Sequence, residues 1–184
     1  METRNTKQKE VGFAIHGLRA HIKALELANG VRVSKNEYRY EIAADRLTAR
    51  IVVTADQSEV EGTSRPLADW SKLGKQARLG LIGLRSEKEK SLQAGDHVQY
   101  TLNVLTGEAY LSNNGVRVED KPQSIEEWAK LGREVEKLLF ESLNGALEYN
   151  CDDAAKTVRA EMIRLGVIRE RRADASSSSE PASK

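Results

Sequence analysis

Three histidines, one cysteine and several clustered carboxylates are the side chains of this chain that could do acid–base, covalent or metal chemistry. His16 and His21 are five residues apart. On a helix that spacing turns them about 140° from one another, too far to share a metal ion. His97 stands by itself, and no Cys-x-x-Cys, His-Glu-x-x-His or Gly-x-Ser-x-Gly pattern occurs. Cys151 precedes Asp152 and Asp153, whose negative charge disfavours a thiolate and makes it a poor nucleophile. Glu126 and Glu127 open a predicted helix, where the dipole accounts for them. The run Gly80 to Ser86 has glycines but lacks the Gly-Lys-Ser/Thr ending of a phosphate loop. Its glycines predict a kinked or loosely packed helix. These residues imply no catalytic site, no metal and no cofactor. A small enzyme with an unrecognised acid–base pair is the third of three functional readings.

A different chemistry is written between Val31 and Arg50. Arg32, Lys35, Arg39, Arg46 and Arg50 interleave with Tyr38 and Tyr40. Cations grip phosphates and aromatic faces stack on bases in proteins that hold single strands. The segment is therefore the candidate nucleic-acid site, against the plainer expectation that its charges are a solvated strand face.

Those residues must be carried by strands, and the strands belong to a repeat. Trp70-x-Lys72-Leu73-Gly74 recurs as Trp128-x-Lys130-Leu131-Gly132, 58 residues later. At the same offset Val60-Glu61 matches Val118-Glu119, Leu47-Thr48 matches Leu105-Thr106, and Leu81 matches Leu139. A fixed period predicts a duplicated supersecondary unit, with the two tryptophan helices in equivalent places about an internal pseudo-twofold. The tryptophans and leucines read as core anchors, Lys72 and Lys130 as solvated helix faces. Gly74 and Gly132 read as points of close backbone approach, because glycine inside a helix costs about 1 kcal/mol relative to alanine.

The expected fold is α+β. A leading helix over 10–28 carries Ile15, Leu18, Ile22 and Leu25 as its apolar stripe. Two strand-strand-strand-helix units follow, over about 31–90 and 91–150, forming antiparallel sheet packed by helices. Pro66 suits the first turn of the first repeat helix. Ser124 with Glu127 is a capping box for the second, and Asn144-Gly145 is its expected end. These elements make one domain over 1–150. A helix over 151–168, capped by Asp152 or Asp153 and closed by Gly166, comes next. The serine-rich 169–184 predicts a disordered tail.

Composition bounds the partners. Charged residues make up 31% of the chain and the net charge is +1. The first unit has 12 basic and 9 acidic side chains, the second 5 and 10. That opposition predicts a homodimer in which basic surface meets acidic surface. No apolar run approaches a membrane span, and Met1 to Glu10 lacks signal-peptide character. With one cysteine, the expected location is intracellular, cytoplasmic or nuclear, with no membrane partner.

Tandem strand-rich units ending in a helix, over about 31–145, resemble the PUR-repeat and Whirly proteins. The resemblance implies a curved sheet that holds single-stranded nucleic acid. It rests on element order and duplication, and the acidic second unit departs from it. The same order also resembles the small dimeric chaperones of type III secretion, which implies a protein-binding adaptor as the second functional reading.

Overall fold

The computed structural model describes residues 4–28, 37–45, 47–88, 98–113, 116–117 and 123–169. The chain is α+β. Its elements run α1 (Arg4–Ala28), β1 (Tyr38–Ile42), β2 (Thr48–Val53), β3 (Arg65–Pro66), α2 (Leu67–Lys88), β4 (Val98–Asn103), β5 (Glu108–Asn113), β6 (Val116–Arg117), β7 (Gln123–Ser124), α3 (Ile125–Glu148) and α4 (Asp152–Leu165). The start of each expected unit and the tail from 170 lie outside the described residues.

Two antiparallel sheets form. One has the order β1-β2-β3; in the other β5 pairs with β4 and with both short strands β6 and β7. The hairpins share a register, but at an offset of 60, not 58. Tyr38 faces Val53 and Ile42 faces Ala49; Val98 faces Asn113 and Leu102 faces Ala109. The offset becomes 58 at β3 and β7, where Arg65 faces Ala49 and Gln123 faces Ala109. Two residues are missing from the second unit after β5. Leu47-Thr48 therefore corresponds to Gly107-Glu108 in the ladder, and the sequence match to Leu105-Thr106 is an error of that size. The helix starts, Leu67 and Ile125, keep the offset of 58. Leu67 N–H donates to the Leu47 carbonyl and Ile125 N–H to that of Gly107, at 2.7 and 2.8 Å, so each helix starts from its own hairpin turn.

The glycines inside helices mark where helices cross. A Cβ at Gly74 would run into the Phe13 carbonyl oxygen, and one at Gly17 would lie 2.8 Å from the Trp70 carbonyl oxygen. A Cβ at Gly132 would run into the Leu79 carbonyl, and one at Gly83 into that of Trp128. Backbone meets backbone at α1–α2 and again at α2–α3. The expectation of a kinked or loose helix at Gly80 and Gly83 is thus corrected: α2 packs tightly there, with Gly80 against Ile125. A second sequence correspondence emerges with these contacts. Gly17-Leu18-Arg19 on α1 matches Gly83-Leu84-Arg85 on α2, 66 residues later, and Leu18 and Leu84 are both buried.

Helix α2 meets α1 through Trp70 and Gly74 and meets α3 through Leu79 and Gly83. An operation carrying α1 to α2 also carries α2 to α3, which no twofold can do. Successive units meet head to tail, and the expected pseudo-twofold is withdrawn. The array stops for a reason legible in sequence. At the positions matching Leu79 and Gly83, α3 has Lys137 and Glu141. Its following turns pack on α4 instead, where Met162, Leu165 and Val167 join Ile82 in a second core cluster. The main cluster gathers Leu18, Ile51, Trp70, Leu84, Leu102 and Trp128 between helices and sheets.

Helix ends differ in detail. Ser124 caps α3, accepting from Glu126 N–H at 3.1 Å in place of the capping-box partner Glu127. Asn144-Gly145 does not end α3; the left-handed position falls on Asn150, φ 55°. Helix α4 is preceded by Cys151 without a side-chain cap, with Asp152 and Asp153 in its first turn, and Gly166 closes it at φ 80°. Among the described residues no helix is long and apolar enough to cross a membrane.

Candidate functional site

Strand alternation separates the residues that the sequence interleaves. Tyr38, Tyr40 and Ile42 are half-buried and pack against the main core. Arg39, Glu41 and Arg50 occupy the opposite face, where Glu41 sits across from Arg50. There Arg39 binds Glu41 at 2.7 Å, and Arg50 binds Glu41 at 2.9 Å and Glu59 at 3.5 Å. Arg39 also donates to Gln57. The paired arginines hold the Glu41 carboxyl below its usual range, Arg50 most of all. The outer face is a compensated charge ladder with its tyrosines turned inward. Arg32, Lys35 and Arg46 lie outside the described residues.

The tyrosines open instead into a groove between α1 and β1. It has a volume of about 590 Å³ and is lined by Arg19, Ile22, Lys23, Glu26, Tyr38, Arg39, Tyr40 and Thr54. The four α1 residues recur at i, i+3, i+4 and i+7, one face of the helix. Arg19 is exposed and makes no ion pair among the described residues. Lys23 is held by a hydrogen bond from Nζ to the Tyr100 carbonyl, 2.9 Å; burial, then the nearby Arg85 charge, pushes its pKa down. Glu26 lines the groove and is buried, and burial together with the Glu37 charge raises its carboxyl. Sequence alone missed Arg19 and Lys23, whose signal was that helical spacing.

The remaining candidates are structural. Trp70 is 0% exposed and donates from Nε1 to the carbonyls of Ala49 and Thr63, both 3.2 Å. Trp128 is buried too, with the Lys88 ammonium 5.8 Å from its ring. Gly74 and Gly132 are the crossing points, Leu73 and Leu131 are half-buried beside the core, and Lys72 and Lys130 are exposed. Burial depresses the pKa of His16, helped by the Arg78, Arg169 and Arg19 charges. Burial likewise depresses His21, opposed by a hydrogen bond with Asn103. Cys151 is exposed. No group of three or more metal-binding side chains occurs among the described residues.

Comparison with protein-family models, with curated proteins and with solved structures gives no match. The functional case therefore stands on the groove.

Proposed function

We propose that the chain is a non-enzymatic binding protein that holds single-stranded nucleic acid in the groove between α1 and β1. One observation carries this: Tyr38 and Tyr40 share a groove with Arg19 and Lys23. Base–aromatic stacking contributes about 1–3 kcal/mol per base, and the cations would neutralise the adjoining phosphates. The groove lies within the range of about 300–1,000 Å³ typical of ligand clefts, room for one or two splayed bases. Labelled DNA and RNA single strands, measured at low and high salt, provide the test. Affinity should fall with salt, and Tyr40→Ala and Arg19→Ala should each weaken it. Absence of binding at low salt overturns the proposal.

A protein-binding adaptor is the second reading, and a second cavity favours it. It spans about 930 Å³ between the start of α1, the β1–β2 turn and the start of α2. Val11, Leu47, Pro66 and Leu67 line it, and Leu47 is 67% exposed. An extended client with apolar side chains fits such a wall. Leu47→Asp should then abolish capture of apolar peptides and leave oligonucleotide binding intact; equal capture by both proteins would reject this reading.

A further inference from the structure

The groove residues of α1 belong to a longer stripe. Lys9, Gly12, His16, Arg19 and Lys23 follow one another at spacings of three or four, so they share one face of the helix. Lys9, Gly12 and Arg19 are exposed, and His16 is half-buried. From Lys9 to Arg19 the stripe runs about 15 Å along the helix axis. The two carboxylates of α1 do not interrupt it. Glu26 lies beyond Lys23 in the groove, and Glu10 is turned about 100° from Lys9. Gly12 presents no side chain, and a Cβ there would meet nothing within 4 Å.

A further arginine joins the stripe from beyond α4. Arg78 of α2 donates to the Val167 carbonyl at 2.9 Å, which holds the segment after α4 against α2. Arg169, two residues on, is exposed. The charges of Arg78, Arg169 and Arg19 all reach the His16 imidazole, and each pushes its pKa down. Arg78 is balanced by Glu136 at 2.6 Å. Arg19 and Arg169 make no ion pair among the described residues. Two uncompensated guanidinium groups therefore lie near His16, where α1 leaves the groove.

We propose that a single strand seated in the groove leaves it along this stripe, its phosphates passing Arg19 and Arg169 and then Lys9. Such a path presupposes that the groove itself holds nucleic acid. Backbone charge alone is recognised there, so the bases on this stretch are free to vary. Titrations of a fluorescent dinucleotide and a fluorescent decanucleotide across a salt series test it, on wild type, Tyr40→Ala, Arg169→Ala and Lys9→Ala. The dinucleotide fills only the groove and should bind Arg169→Ala and Lys9→Ala as it binds wild type. The decanucleotide should lose several-fold in affinity with each of these two variants, and its log–log salt slope should become shallower by about 0.7 per phosphate contact. Both side chains are exposed, so the variants should melt like wild type. Resonance titration of His16 gives a second readout. The decanucleotide should raise its depressed pKa more than the dinucleotide does, because phosphate offsets the arginine charges. Unchanged decanucleotide affinity in either variant, with Tyr40→Ala weakened, overturns the exit path and leaves the groove standing. An equal loss on the dinucleotide, or a His16 pKa unmoved by the decanucleotide, also overturns the path. Failure of wild type to bind either strand at low salt overturns both path and groove.

Discussion

The two units place a tyrosine at the same point of the same hairpin, Tyr40 opposite Ile51 and Tyr100 opposite Leu111, and surround it differently. In the second unit the Arg85 guanidinium lies 5.8 Å from the Tyr100 ring centre, and Lys23 of α1 takes the Tyr100 carbonyl. Strand β4 thus touches the helix before it and the helix beneath it. The first unit has no earlier repeat helix. Arg19, the match of Arg85, lines a groove with Tyr38 and Tyr40. The hairpin-turn clefts diverge in the same way: Leu47, Pro66 and Ala68 in the first unit correspond to Gly107, Ser124 and Glu126 in the second. One framework position serves packing when a neighbour covers it and is available for binding when it stands at the end of the array.

The largest effects should come from the crossings, which both units use alike. Gly74→Ala and Gly132→Ala each add a Cβ that meets backbone, not a flexible side chain. The helices must separate, at a cost of at least about 1–3 kcal/mol for overpacking, more than the helix-propensity gain of about 1 kcal/mol returns. Gly145→Ala is the control, since nothing lies within 4 Å of its added Cβ; it should melt at or above the wild-type temperature. Thermal melts of the three variants measure this. Equal melting of all three would dissolve the shared crossing.

The tryptophans should separate the units. Trp70→Phe removes an N–H that serves two buried carbonyls, while Nε1 of Trp128 finds no hydrogen-bond acceptor among the described residues. Leaving a buried polar group unsatisfied costs about 1–3 kcal/mol. Urea melts should therefore show a larger loss for Trp70→Phe than for Trp128→Phe. The reverse order would mean that Trp128 anchors its sheet more firmly than Trp70 does.

A smaller difference should appear with pH. His16 occupies the position matched by Ile82, so the first unit half-buries an imidazole where the second buries a hydrocarbon. The folded chain lowers the His16 and His21 pKa values from 6.5. The unfolded chain then takes up protons first as pH falls. Their contribution is complete above about 6.5 and declines as pH drops from there toward the depressed folded values. Glu26 acts oppositely: its raised carboxyl favours the fold below 4.5 and loses that contribution as pH rises through the folded value. His16→Ile should flatten the decline just below pH 6.5 in chemical melts. An unchanged slope would place the pH dependence elsewhere.

Much of this contrast is written in the sequence, but not where local pattern looks first. Trp70, Gly74, Trp128 and Gly132 announce their helices because a glycine costs stability inside one, and its recurrence requires a reason. The α+β class and most strands follow from alternation. The partner glycines Gly17 and Gly83 were legible as a Gly-Leu-Arg repeat, hidden because its offset of 66 differs from 58. Links of unequal length separate the two series, and no single period contains both. The site was harder. Tyr38, Arg39 and Tyr40 read as one basic aromatic surface, yet a strand sends neighbours to opposite faces. Which face meets α1 is decided by tertiary packing, as is the approach of Arg19, nineteen residues before Tyr38.

The smallest effect on stability should come from the outer face of the first sheet, where the proposed binding of a single strand through the groove predicts no loss of affinity. Arg50 is about half exposed and shared between Glu41 and Glu59. Exposed pairs of this kind contribute about 0–1 kcal/mol, because water screens them and long side chains lose freedom in making them. Arg50→Ala should barely move the melting temperature. It should also leave oligonucleotide affinity near the wild-type value, since its charge is already balanced by two carboxylates and it lies across the strand from Tyr40. Arg19→Ala, equally harmless to the fold by its exposure, should weaken binding and reduce the salt slope by about one phosphate contact. Titrations of both variants at matched salt make the comparison. If Arg50→Ala weakens binding and Arg19→Ala does not, the ligand lies on the charge ladder and the tyrosines are core residues only. If neither changes the affinity, the phosphates follow neither face of this strand.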